Sequence, residues 1–316
     1  MTPNTQTPQV SAKETWQTQR SRLLDLGPCV QDAAQMEKTL LSIGHGYSAT
    51  ALSRRLKKSG WRIIGTTRSA EKAERLRTAG IEPLIWPGTP LPLDAATHVL
   101  TSVSPTETGD PVIAEAGKDL RAATHLDWVG YLSTTGVYGD HAGGWVDETT
   151  PLTPSTDRGR ARVAAEAEWA QLGLPLHVFR LAGIYGPGRG PFAKVKSGRA
   201  RRIIKTGQVF SRIHVDDIGQ VLAASIARPD PGAVYNVCDD DPAPPQDVIA
   251  HAAKLLGLPV PEAVAFEDAE MSPMARSFYA ESKRVRNNRI KDELGVELAY
   301  PDYRTGLAAV LKAERR

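Results

Sequence analysis

The chain has 316 residues, of which 41% are hydrophobic and 24% charged, and carries a formal charge of +3 at neutral pH. That length can bury a sizeable core in one large domain or two lobes, while so small a charge argues against nucleic acid as a partner. Cys29 and Cys238 lie far apart and neither belongs to a C-x-x-C pair, so a disulfide framework or zinc site has no support and a reducing cytoplasm fits.

Residues 1–35 open with a polar, Thr/Gln/Pro-rich stretch that cannot bury a core by itself. They read as an extension outside the fold. Met36 stands just before the first strand, leaving two readings open: translation starting at Met36, or a tethering arm. No run approaches the roughly 18 to 20 apolar residues of a membrane helix, and the N-terminus lacks an apolar signal core. The expectation is a cytoplasmic protein with no membrane partner.

From Lys38 short β-rich runs alternate with helical segments, the pattern of a parallel sheet covered on both faces. The predicted strands are TLLSI (39–43), WRIIGTT (61–67), IEPLIW (81–86), THVLTSV (97–103), WVGYLST (128–134) and LHVFRLA (176–182). They are near-continuous apolar stretches, as doubly covered strands should be. Gly60, Gly80 and Gly173 each follow a predicted helix where its C-terminus wants a left-handed residue. After Gly186 the chain becomes Gly- and Arg-rich. A smaller lobe is expected there, with a helix beginning near Asp216 and the strand VYNV (234–237) returning to the main sheet.

Gly44, Gly46 and Ala49 form G-x-G-x-x-A directly after the first predicted strand and at the start of a helix. The first glycine permits the tight turn, the second lets the backbone approach a pyrophosphate, and the small third residue allows close packing of helix on strand. The helix N-terminus then offers N–H donors to phosphate. The fold expected is therefore α/β, a doubly wound parallel sheet of the Rossmann kind over 36–185, with a smaller C-terminal α/β substrate lobe over 186–316. An NAD site places an acidic residue about 20 residues beyond the turn. Here Thr66, Thr67, Arg68 and Ser69 stand at the end of the second strand, and hydroxyls with a guanidinium suit the extra phosphate of NADP. The competing reading makes Arg68 a solvated residue and gives the ribose to Glu71.

Past the fifth predicted strand, Ser133 and Thr134 precede Val137-Tyr138-Gly139, followed by Asp147-Glu148, Pro151 and Pro154; RLAGIYGP (180–187) and RIHVDDI (212–218) come later. In this order the segments resemble the extended short-chain dehydrogenase/reductase family, its epimerase and dehydratase branch, from about residue 38 to the C-terminus. One departure stands out. Where the family has Y-x-x-x-K, this chain has Arg158-Gly159-Arg160-Ala161-Arg162. In the family the Tyr is the acid/base, the Lys lowers its pKa, and the Ser/Thr polarises the substrate oxygen. A guanidinium stays protonated at neutral pH and cannot relay a proton. The chain is thus similar to the atypical subgroup, cofactor-binding proteins often labelled nucleoside-diphosphate-sugar epimerases.

The turn and the resemblance together assign Gly44, Gly46, Tyr47, Ser48, Ala49, Thr67, Arg68, Ser69, Ser102, Thr134 and Ile184 to the cofactor, and Thr134, Arg158, Arg162 and Tyr138 to the chemistry. Arg158 and Arg162, at i and i+4, share a helix face and could clamp an anion, or Arg162 could pair with Glu166. Tyr138 and a further candidate, Tyr185, are weighed against packing, and His141 against a solvated loop. The basic stretch KVKSGRARRIIK (194–205) fits a nucleotide-sugar diphosphate by family analogy, or is a solvated loop. Asp216 and Asp217 read as a helix cap, and Asp239 to Asp241 as a turn with no metal. Two functions follow: an NADP-dependent oxidoreductase or epimerase acting on a phosphorylated or nucleotide-linked small molecule, or a non-catalytic NADP-binding sensor. A homodimer is compatible with either.

Overall fold

The computed structural model describes residues 37–315; the extension expected over residues 1–35 lies outside them. Seven strands form one parallel sheet: β1 (Thr39–Ile43), β2 (Arg62–Thr67), β3 (Glu82–Ile85), β4 (His98–Thr101), β5 (Trp128–Thr134), β6 (Leu176–Leu181) and β7 (Val234–Val237). Their order across the sheet is β3-β2-β1-β4-β5-β6-β7. The order reverses beside β1, and ligands of such sheets bind at that switch point, outside the carboxyl ends of the strands.

The near-continuous apolar runs are explained by burial on two sides. Leu40, Leu100, Trp128, Phe179 and Tyr235 face one layer, packed with Leu52 of α1 (Tyr47–Lys57) and with residues such as Leu222 from a second helix, Val215–Ala227. Leu41, Val99, Val129, Tyr131 and Val178 face the other, against Val112 and Leu120 of Pro111–Ala122 and Trp169 of Asp157–Ala170. In chain order the main helices are α1, α2 (Ala70–Thr78), α3 (Pro111–Ala122), α4 (Asp157–Ala170), α5 (Val215–Ala227), α6 (Pro245–Leu256) and α7 (Tyr303–Glu314). Gly60, Gly80 and Gly173 follow α1, α2 and α4 with φ of 77°, 67° and 71°, the left-handed exits expected.

Strand β4 is shorter than its apolar run suggests. Its continuation is drawn into the site: Ser102 donates its N–H to Ile43 at 3.0 Å and its hydroxyl to the Gly44 carbonyl. Beyond β6 the chain builds a second core from α6, α7 and Phe192, with Val248, Ala252, Leu307 and Val310 inside. Between α5 and α6 it crosses back to the main sheet. Val234 stands opposite Val178 and Val237 opposite Leu181, so β7 closes the main sheet as its edge strand. No helix among the described residues is long and apolar enough to cross a membrane.

Candidate cofactor and substrate site

The glycine turn joins β1 to α1. Gly44 has φ of +76°, and a Cβ there would stand 2.8 Å from Val103 Cγ2, so a side chain is excluded by conformation and by space. Its N–H donates to Thr66 Oγ1 at 2.7 Å and that of His45 to the Thr66 carbonyl at 3.0 Å, tying the turn to β2. Gly46 is the N-cap of α1 and offers no side-chain cap. The first N–H groups of α1 therefore remain available to an anion, with the helix dipole behind them. His45 beneath the turn is fully buried, and desolvation, with Lys72 nearby, depresses its pKa to about 4. It stays neutral.

A cavity of about 1280 Å³ opens from this turn, more than the roughly 300–1,000 Å³ of a single-ligand site. Gly44, Gly46, Tyr47, Ser48, Ser102, Thr134, Arg158, Arg162 and Ile184 all line it. The Thr134 hydroxyl accepts the N–H of Gly136 at 3.1 Å, which leaves its own hydrogen free to donate to a ligand oxygen. The strand end that presents it is fixed from behind. Ser133 donates to Glu166, Glu166 accepts Arg180 at 2.8 Å, Arg180 donates to the Tyr138 hydroxyl at 3.0 Å, and that hydroxyl donates to Asn236 Oδ1 at 2.8 Å.

Helix α4 brings both arginines to the cavity through a close backbone approach. At Gly159 a Cβ would lie 2.9 Å from the Gly136 carbonyl oxygen and 2.7 Å from Pro154, so only glycine lets the first turn of α4 meet the Thr134 loop. Arg162 donates to the Leu132 carbonyl at 2.7 Å, the Tyr131 hydroxyl at 3.1 Å and Ser104 Oγ at 3.1 Å. It is a clasp between the loop after β4, strand β5 and α4. Arg158 turns toward the helix Pro273–Phe278, donating to Ser277 Oγ at 3.2 Å with its guanidinium 4.9 Å from the centre of the Phe278 ring.

Several expectations are corrected. Tyr138 is fully buried within the Arg180 and Asn236 network and does not line the cavity, and desolvation raises its pKa; its place is structural. Glu166 pairs with Arg180, not with Arg162. Ala49 is wholly buried, as close helix packing requires, and Thr67, Arg68 and Ser69 stand beyond the cavity at the end of β2. Ser69 caps α2 by accepting the Lys72 N–H at 3.2 Å, whereas Arg68 is exposed with no hydrogen bond or ion pair among the described residues. His214, not an aspartate, caps α5; Asp216 pairs with Arg54 at 2.9 Å, and Asp217 accepts the N–H groups of Ala299 and Tyr300. His141 lies off the cavity with Nε2 3.1 Å from the Tyr138 carbonyl, while Tyr185 lines it with its hydroxyl on the Asp302 carbonyl. Among the described residues no group of His, Cys, Asp and Glu could hold a metal.

Sequence reasoning missed other lining residues. Lys283 donates to the Gly139 carbonyl and to Glu281, both at 2.6 Å, and Glu281 accepts Ser155 as well. Phe210, Phe278 and Tyr279 also line the cavity. Nothing local in the sequence ties residues near 280 to a loop near 139; only the topology does.

A parallel sheet whose order reverses beside a glycine turn and an uncapped helix defines a Rossmann-type fold. No family model matches the chain. A solved structure described as a functionally unknown conserved protein from Silicibacter pomeroyi DSS is 64% identical, covers 88% of this chain and 100% of its own, and has a TM-score of 0.85. Protein YeeZ of Escherichia coli K12 is 29% identical over 283 residues, 84% of this chain and 97% of its own. Two more distant structures share the fold: dTDP-glucose 4,6-dehydratase from Bacillus anthracis with NAD, at 16% identity, 88% and 96% coverage and TM-score 0.70, and human epimerase family protein SDR39U1 with NADPH, at 15%, 87% and 99%, and 0.66. The chain belongs to the family of the Silicibacter protein and shares its fold with proteins of the epimerase/dehydratase type.

Proposed function

We propose that the protein is an NADP-dependent oxidoreductase or epimerase of an anionic small molecule. The observation that carries this reading is a single cavity reaching from the uncapped start of α1 to Thr134 and a ring of cationic side chains. The residues present fit the cofactor. Main-chain N–H groups of α1 would hold its pyrophosphate, and Gly46, where a Cβ would meet only the Gly44 carbonyl at 3.5 Å, leaves the approach to them open. Arg68 would take the 2′-phosphate, with Lys72 beside it. Glu71, the competing ribose ligand, pairs instead with Arg75 at 3.2 Å. The solved relative with NADPH is consistent with this preference.

When bound, the nicotinamide supplies or accepts a hydride. The chain's own residues do the rest. Thr134 donates to the substrate oxygen and orients it. Arg162 holds the strand ends that frame the nicotinamide end of the cavity. The missing tyrosine leaves the proton to another group, and the Lys283–Glu281 pair, lining the same cavity and bonded to the Gly139 carbonyl of the Thr134 loop, is the one this geometry offers.

Calorimetric titration with NADPH and NADH tests the cofactor, and loss of nicotinamide absorbance on a panel of carbonyl compounds and nucleotide sugars tests turnover. Absence of binding to either nucleotide would overturn the reading. One observation favours the sensor alternative: both arginines at the relay positions are engaged by protein groups. Tight NADPH binding with no turnover on any of the panel, together with reductase activity gained by Arg158→Tyr with Arg162→Lys, would decide for the sensor.

A further inference from the structure

The part of the cavity beyond Thr134 has an unusual composition. None of the lining residues is Asn, Asp, Gln or His, the side chains whose paired donors and acceptors answer the hydroxyls of a sugar. Of the two acids on the wall, Glu270 and Glu281, the latter already accepts Ser155 and Lys283. What the wall offers instead is aromatic surface. Phe210 and Tyr279 meet edge to face with ring centres 5.7 Å apart, and Phe278, next in the chain to Tyr279, lines the cavity while 54% exposed. An exposed ring at a cavity wall is apolar area waiting to be covered.

Cations stand among these rings. Arg158 lies over Phe278 and spends only one hydrogen bond, on Ser277, so the rest of its fork can receive a planar anion. Arg212 stands 6.0 Å from the Phe210 ring centre, adding positive potential. A cleft that stacks a flat ring and receives an anion beside it matches an aromatic acid, and poorly matches a hydroxyl-rich nucleotide sugar.

We propose that the substrate is an aromatic carboxylic acid, its ring held by Phe210, Phe278 and Tyr279 and its carboxylate by Arg158. This rests on the reading of the site as an NADP-dependent one. It also accounts for the replaced tyrosine: the position gives up proton transfer and recognises substrate.

The test uses the full-length protein, free and saturated with NADPH, titrated calorimetrically with phenylpyruvate, pyruvate and UDP-glucose. Phenylpyruvate is expected to bind at least about tenfold more tightly than either of the others. Phe278→Ala and Arg158→Met are each expected to weaken phenylpyruvate at least about fivefold, with NADPH affinity and melting temperature unchanged. Equal or tighter binding of UDP-glucose, or no binding of phenylpyruvate to either form, would overturn the proposal. Loss of NADPH binding alone would sink the cofactor reading and leave the phenylpyruvate result on the free protein to judge this one.

Discussion

At Arg68 one side chain carries the proposed preference between two nucleotides. It is exposed, stands at the end of β2 and has no intramolecular partner among the described residues, whereas Ser69 is spent on the α2 cap and Glu71 on Arg75. A guanidinium on a phosphate contributes about 1.5–3 kcal/mol as a charged hydrogen bond. Arg68→Ala is therefore expected to weaken NADPH by about 10- to 100-fold while changing NADH less than about twofold, as read by calorimetry; equal losses for both would show that Arg68 does not touch the 2′-phosphate. Its place at the end of β2 was legible in the sequence, because that strand end follows the glycine turn at a fixed distance. The clasp made by Arg162 was not. Its partners Ser104, Tyr131 and Leu132 lie about 30 to 60 positions away, and only strand order brings them together.

Among the elements, β5, β6 and α4 depend on one buried ion pair. Glu166 and Arg180 have side chains only 9% and 6% exposed, so removing one partner strands a charge, at about 3–5 kcal/mol. Arg180→Met should lower the denaturant midpoint accordingly, and Glu166→Met together with Arg180→Met should recover at least half of the loss. A single variant as stable as the parent would show that the pair carries no weight. The strands themselves were legible as apolar runs, since burial on both faces leaves little else in them. Their ends were not, because Ser102 and its neighbour Val103 belong to the glycine turn's surroundings and not to β4. Tyr138 misled for a related reason: family resemblance places it near the reaction, but only the chain's route through Arg180 and Asn236 shows where its hydroxyl points.

For the whole molecule the buried histidines set a pH dependence. His45, His98 and His177 each have pKa values depressed to about 4, burial being the main cause. The unfolded chain takes up these protons near the ordinary value of about 6.5, the folded chain only near 4. The stability they contribute is thus complete above about 6.5 and is lost as pH falls toward 4, by about 1.4 kcal/mol per pH unit for each histidine. Asp239, raised to about 8 by burial, opposes this, losing stability as pH rises through that window. His98, edge-on to Trp61 with ring centres 4.6 Å apart, isolates the effect. His98→Phe should remove about one proton's worth of slope between pH 6.5 and 4.5 in urea titrations. An unchanged slope would mean that His98 is charged in the fold.

The returning strand β7 also bears on how such a protein can diversify. Because Val234–Val237, reached only after the excursion that follows β6, completes the sheet, with Tyr235 stacked on Phe179 at 5.8 Å, residues 37–185 have no finished border of their own. Severing the chain near 185 would bare the flank of β6 and leave an adhesive strand. The second lobe therefore cannot be traded as an independent cassette. New ligand preferences must arise by point changes on the cavity wall, within a frame inherited entire.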